Sequence, residues 1–94
     1  PAEIENVLAR HPAVLESALI GVADEKWGEV GHAFVLTRPG AAQPSAAELI
    51  QFCRANLAAY KAPRHVTFVE EFPRTAVGKI RRHLLATTPA APVR

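Results

Sequence analysis

The chain has 94 residues, 49% hydrophobic and 21% charged, with a formal net charge of +2. That length allows one domain with one small core, and the balance is that of a soluble globular protein. The longest uncharged run, residues 83–93, is short and holds Pro89 and Pro92, so no membrane span is predicted.

Residues 2–10 are predicted as a helix, because Ile4, Val7 and Leu8 share one face at i, i+3, i+4. Pro1 suits the helix start, Glu3 and Glu5 its positive end and Arg10 its negative end, and Pro12 stops it. A short apolar strand follows over residues 17–22. Residues 24–29 form a polar loop with one large aromatic, Trp27, and residues 30–37 a second, antiparallel strand. Ser45 opens the clearest helix. With Glu48 it makes an S-x-x-E capping box, and Leu49, Phe52, Cys53 and Leu57 supply the apolar face up to an end near Ala59 or Tyr60. Residues 65–69 are a third strand, and strand-helix-strand from 30 to 69 predicts a right-handed parallel crossover. Residues 70–78 are a loop, Ile80, Leu84 and Leu85 mark a last short helix, and residues 87–94 read as a flexible tail. The predicted class is therefore α+β, a small three-stranded sheet packed with helices in the order α-β-β-α-β-α.

Three bulk features bear on function. The single cysteine, Cys53, cannot form an internal disulfide, so a reducing, cytoplasmic setting is expected, and no signal peptide is visible at the start. The chain has no methionine and begins at Pro1, which suggests a fragment of a longer protein, the alternative being an initiator Met removed by processing. Its charge is uneven: residues 1–60 carry four Lys and Arg against seven acids, and residues 61–94 carry seven against two. A basic end suits an anionic ligand or partner, or simply a solvated face.

The segment Thr75-Ala76-Val77-Gly78-Lys79 invites a phosphate reading, since a glycine lets the backbone bend and a lysine brings an ammonium to an anion. It is not a P-loop, which needs Gly where Pro73 stands and Ser or Thr where Ile80 stands. Lys79 is placed at the predicted start of the last helix, where helix N-terminus and ammonium could converge on one oxyanion. An ordinary turn with a solvated lysine is the rival. Trp27 is either a ring folded over the core or a flat wall for a ligand. Lys61 and Arg64 either stabilise the end of the preceding helix or contact phosphates. His11, His32, His65 and His83 have no metal-ligand spacing, so no metal site is expected. Arg81-Arg82 lacks the aromatic-studded strand of an RNA-binding sheet, so no nucleic acid is expected.

Five segments occur in register along the chain: Pro1-Ala2-Glu3-Ile4-Glu5, His11-Pro12-Ala13-Val14, Val22-Ala23-Asp24-Glu25-Lys26-Trp27-Gly28-Glu29, Leu57-Ala58-Ala59-Tyr60-Lys61-Ala62-Pro63 and Phe72-Pro73-Arg74-Thr75-Ala76-Val77-Gly78-Lys79-Ile80-Arg81-Arg82. Over residues 1–86 the chain resembles the C-terminal lid domain of the adenylate-forming superfamily, and most an AMP-forming acyl- or aryl-acid:CoA ligase. The resemblance implies two steps: a carboxylic acid and ATP give an acyl-adenylate, then coenzyme A displaces AMP to give a thioester. It implies an N-terminal domain, absent from this chain, as partner and as the main holder of ATP, Mg2+ and the small carboxylic acid. By position Lys79 matches the catalytic lysine of adenylation, on a loop that includes Thr75 and Gly78. Trp27 and Tyr60 match the coenzyme A passage, Lys61 and Arg64 the stretch that meets its phosphates, and Gly28 a loop that approaches the active site after lid rotation. Ala62 stands where some members carry a basic residue. The alternatives are a domain that serves a carrier-protein thiol, or a binding module that is inactive in isolation.

Overall fold

Alternation along two long strands sorts their apolar side chains onto the two faces of one sheet. The structure is a computed structural model that describes residues 2–58 and 61–85. In it β1 (Val14–Asp24) and β2 (Gly28–Thr37) run antiparallel, and β3 (His65–Phe68) lies parallel on the other side of β2. With α1 (Ala2–Leu8), α2 (Ala46–Asn56) and α3 (Arg82–Leu85) the order is α-β-β-α-β-α. The expected α+β class, three-stranded sheet and parallel return after α2 are all present. Residues 87–94, expected as a tail, lie outside the described residues, as does Pro1.

Leu19 of β1, Ala33 and Val35 of β2, and Val66 and Phe68 of β3 face α1 and α2, packing with Ile4, Val7, Leu8, Leu49 and Cys53. Ala18, Ile20, Phe34 and Leu36 point the other way, where Phe72, Ile80 and Leu85 of the C-terminal segment cover them. Each face of the sheet is thus closed by a different part of the chain. Removing this apolar area from water is the main force holding the layers together. Among the described residues no helix is long and apolar enough to cross a membrane.

Several boundaries differ from expectation, each for a physical reason. α1 stops at Leu8 because the next amides, Arg10 and His11, bond three residues back in a tightened turn ahead of Pro12. β1 is longer than residues 17–22 and bulges between Val14 and Glu16, an irregularity that hides period-two alternation from the sequence. α2 ends at Asn56, short of Ala59 or Tyr60, because the Asn56 side-chain amide folds back and donates Nδ2–H to the Phe52 carbonyl at 2.8 Å and Leu57 leaves in an extended conformation. Only half of the capping box forms: the Glu48 amide donates to Ser45 Oγ at 3.0 Å, while the Glu48 carboxylate turns to His11 Nε2 at 3.1 Å. Ile80 is not helical. It bridges to Arg74, and α3 begins only at Arg82.

Candidate functional site

The β1–β2 connection is a tight hairpin. Asp24 and Gly28 are paired, leaving Glu25, Lys26 and Trp27 as its loop. The Asp24 carboxylate accepts from the amides of Lys26 and Trp27, both at 2.8 Å, and Gly28 closes the turn at φ +80°, a conformation that favours glycine. This geometry lifts Trp27 out of the core, so it is 55% exposed and does not fold back over it. Lys26 Nζ lies 5.0 Å and Arg64 Cζ 5.1 Å from the ring centroid, both within cation–π range.

Arg64 reaches the indole because the chain after α2 is held against β2: its amide donates to the Gly31 carbonyl at 2.9 Å. Gly31 has little room for a side chain, since a Cβ there would stand 3.2 Å from Leu19 Cδ1 and 3.6 Å from Pro63 Cα. The result is a cleft of about 410 Å3 lined by Ile4, Leu19, Trp27, Glu29, Lys61 and Arg64 among others. That volume falls in the roughly 300–1,000 Å3 span of small-molecule pockets. Arg64 also lines a smaller hollow of about 250 Å3 with Arg54, Ile50 and Pro63. The end of α2 lies five residues before Lys61, and Lys61 pairs with Glu3 of α1 at 3.1 Å. Trp27 on one side and Lys61 with Arg64 on the other, singled out in two separate segments of the sequence, therefore share one cleft, with Gly28 at its entrance hairpin. Tyr60 lies outside the described residues.

Lys79 stands elsewhere, on a miniature hairpin closed by the Arg74–Ile80 bridge. Thr75 gathers it: its amide donates to the Lys79 carbonyl at 2.8 Å, its carbonyl accepts from Gly78 at 2.9 Å, and its hydroxyl accepts from the Lys79 amide at 3.2 Å. Gly78 has φ +91°, so glycine is required by the backbone and not by crowding, because a Cβ there would meet nothing within 4 Å. The expectation that Lys79 starts a helix is corrected. Lys79 precedes α3 by three residues, and α3 itself is one turn long, too short for its dipole to matter. The lysine is exposed, and no carboxylate pairs with its ammonium among the described residues.

The uneven charge of the chain has a structural origin. Glu3, Glu5 and Glu16, all in the acidic part, pair with Lys61, Arg82 and Arg74 of the basic part. Glu5 also accepts from the Leu19 amide at 2.7 Å, on the unpaired side of the edge strand β1. The cations that make no such ion pair among the described residues of the basic part are Arg64, Lys79 and Arg81. Arg74 and Glu16 were invisible to sequence reasoning, since they are 58 residues apart and no local spacing links them.

Two interior groups titrate away from their ordinary values. His32 is 6% exposed, bonds Thr67 Oγ1 through Nε2 at 2.7 Å and stacks on Phe34 at 4.2 Å. Burial, and then the charge of nearby His65, hold its pKa down. Burial pushes the Cys53 thiol up, which suits a core residue and not a nucleophile. Among the described residues no group of three or more His, Cys, Asp or Glu could hold a metal ion.

Residues 3–79 match the family model described as AMP-binding enzyme C-terminal domain. Over 85 residues the chain is 47% identical to 3-[(3aS,4S,7aS)-7a-methyl-1,5-dioxo-octahydro-1H-inden-4-yl]propanoyl:CoA ligase of Rhodococcus jostii (strain RHA1), covering 90% of this chain and 16% of that protein. It is 48% identical, with the same coverage, to fatty acid–[acyl-carrier-protein] ligase ScoC of Streptomyces coeruleorubidus. Among solved structures, Brucella canis acyl-CoA synthetase superposes with a TM-score of 0.83 at 41% identity, over 90% of this chain and 16% of that one. The chain thus spans about a sixth of the length of these relatives.

Proposed function

The chain belongs to the AMP-binding enzyme C-terminal domain family, and we propose that it serves as the C-terminal domain of an AMP-forming carboxylic acid:CoA ligase. In this reading an N-terminal domain binds ATP and the acid. Attack of the carboxylate on the α-phosphorus gives acyl-adenylate and pyrophosphate. The thiolate of coenzyme A then attacks the acyl carbon, and AMP leaves. The observation that carries the reading is Lys79: an exposed ammonium without a carboxylate partner among the described residues, on a hairpin whose turn is closed by hydrogen bonds to Thr75. Such a cation stabilises charge that grows on carboxylate and phosphate oxygens as pyrophosphate departs. Among the described residues no group of three or more His, Cys, Asp or Glu could hold a metal ion, and in this reading Mg2+ accompanies ATP at the N-terminal domain.

The second half-reaction falls to the cleft. The Trp27 ring offers a flat apolar wall for a pantetheine arm, and Lys61 and Arg64 offer cations for the phosphates beyond it. The likeness to the Streptomyces ligase favours a second reading, in which a carrier protein presents the same pantetheine arm. Supplying free coenzyme A or a pantetheinylated carrier to preformed adenylate separates the two.

In the full-length ligase that carries this domain, Lys79→Ala is expected to cost about 3–4 kcal/mol at the adenylation barrier, roughly two to three decades in pyrophosphate-release rate. Thioester formation from preformed adenylate should be largely spared. Equal loss in both half-reactions would remove Lys79 from the adenylation step.

A further inference from the structure

The peptide unit that joins Gly78 to Lys79 is held at both of its polar ends. Its N–H donates to Thr75 Oγ1 at 3.2 Å, and its carbonyl accepts from Arg74 Nη1 at 3.1 Å. Fixing both ends of one peptide fixes its plane, and because the Lys79 carbonyl on the other side of Cα is also held, by the Thr75 amide at 2.8 Å, the direction in which the Lys79 Cα–Cβ bond leaves the backbone is set as well. The Thr75 contact lies within the hairpin and moves with it. The Arg74 contact does not, because the other arm of the same guanidinium pairs with the Glu16 carboxylate on β1. The guanidinium carbon also lies 5.9 Å from the centroid of Phe72, a ring only 5% exposed in the second core cluster. One side chain therefore links the Lys79 peptide to the sheet.

We propose that Arg74, anchored by Glu16, is the positioning residue that sets the direction of Lys79, an inference that rests on the adenylation role given to Lys79 above. Stability is a poor explanation of the pair. The Arg74 and Glu16 side chains are 38% and 35% exposed, and ion pairs in that setting change a folding equilibrium by about fivefold at most. Geometry is a better one. The guanidinium is a planar fork whose two arms engage two partners at a set angle, which a lysine ammonium on a flexible stem cannot reproduce. A displacement of about 1 Å in a group that must meet a reacting atom costs on the order of a hundredfold in rate. Downstream of Lys79 a second tie runs to the same strand: Arg82 holds both Glu5 oxygens at 2.8 and 2.9 Å, and Glu5 in turn holds the Leu19 amide. The lysine sits between two arginines that fasten its segment to the edge of β1.

The test compares Arg74→Met, Arg74→Lys and Glu16→Gln in the full-length ligase, with Lys79→Ala alongside. Adenylation is followed by pyrophosphate release, and the thioester step from preformed adenylate. Amide exchange at Gly78 and Lys79 is read on the same variants, with urea unfolding as a control. Arg74→Met and Arg74→Lys are expected to slow adenylation about 10–100-fold at unchanged KM for the acid. Glu16→Gln should slow it less, the thioester step should stay within about twofold, and Gly78 and Lys79 should exchange faster. A purely structural role would lower both half-reactions together by reducing the folded fraction. Wild-type adenylation in Arg74→Met, or full rescue by Arg74→Lys, overturns the proposal while a Lys79→Ala defect leaves the adenylation reading intact. A silent Lys79→Ala overturns both.

Discussion

The Trp27 cleft and the Lys79 hairpin are assembled in opposite ways. The cleft draws Trp27 from the tip of β1–β2, Lys61 and Arg64 from the turn after α2, and Ile4 from α1. These three segments are far apart in sequence, so the sheet register and the helix packing must both be right before the cleft exists. The hairpin instead closes on itself within residues 73–81, through Thr75 and the Arg81 amide bond to the Pro73 carbonyl at 2.7 Å. Among the described residues it is tied down by the Arg74 pair with Glu16 of β1, by Ile80 packed against the cluster that includes Ala18 of β1, and just beyond it by the Arg82 pair with Glu5 of α1. The cleft proposed for coenzyme A is thereby rigid with the core, while Lys79 is carried on a local turn that can be oriented by a few contacts. The two surfaces can be lost separately, as the two-step role proposed above requires.

The most severe way to break the contrast is to remove what both regions share. Phe34 is fully buried and lies under the C-terminal segment that carries the hairpin. Phe34→Ala is expected to destabilise the domain by about 3–5 kcal/mol. Trp27 fluorescence and hairpin amide signals should disappear in one urea transition; two separated transitions would show that the regions fold independently. Gly78→Ala acts on the hairpin alone. It forces a Cβ into left-handed backbone at φ +91° with no clash to relieve, for about 1–2 kcal/mol. Chemical-shift changes should stop within residues 73–81, and a change in Trp27 emission would contradict the separation.

Acidity weakens the sheet beneath both. The folded pKa of His32 lies below its unfolded value, so as pH falls the unfolded chain takes up the extra proton first. This contribution to stability is full above about 6.5 and is lost progressively below it, toward the depressed folded pKa. Urea midpoints should therefore fall between pH 7.5 and 5.5, and His32→Leu should flatten that slope. A midpoint that rises on acidification contradicts the sign. The smallest effect belongs to the cleft rim: Glu3→Gln loosens Lys61 from α1 at a cost of about 0–1 kcal/mol. It should leave hairpin amide exchange unchanged while coenzyme A, titrated against Trp27 fluorescence, binds no more weakly. Weaker binding would mean that Glu3 holds Lys61 in its working position.

Much of this was legible in the chain. Ser45 announced the start of α2 through its side-chain oxygen, and the spacing of Leu49 and Cys53 announced its buried face, because capping and helical periodicity are local. The end of α2 was not legible, since it depends on an Asn56 side chain competing for a carbonyl of its own last turn. β1 was underestimated because its bulge breaks the alternation that sequence reading relies on. Trp27 could be read either as core or as wall; the Asp24-capped turn, which aims the indole outward between two cations, decides against the core.

Composition, spacing and motif order by themselves determined the element order, the α+β class, the family resemblance and the interest of Lys79. These follow from backbone geometry and residue type within a few positions of one another. The tertiary structure alone decided which charges neutralise one another. Glu16 meets Arg74 and Glu5 meets Arg82 only because the C-terminal segment is laid along the edge strand, at separations of 58 and 77 residues. Ion pairing depends on distance through space, and sheet topology sets that distance. The same folding that pairs Arg74 and Arg82 leaves Lys79 between them with its charge exposed.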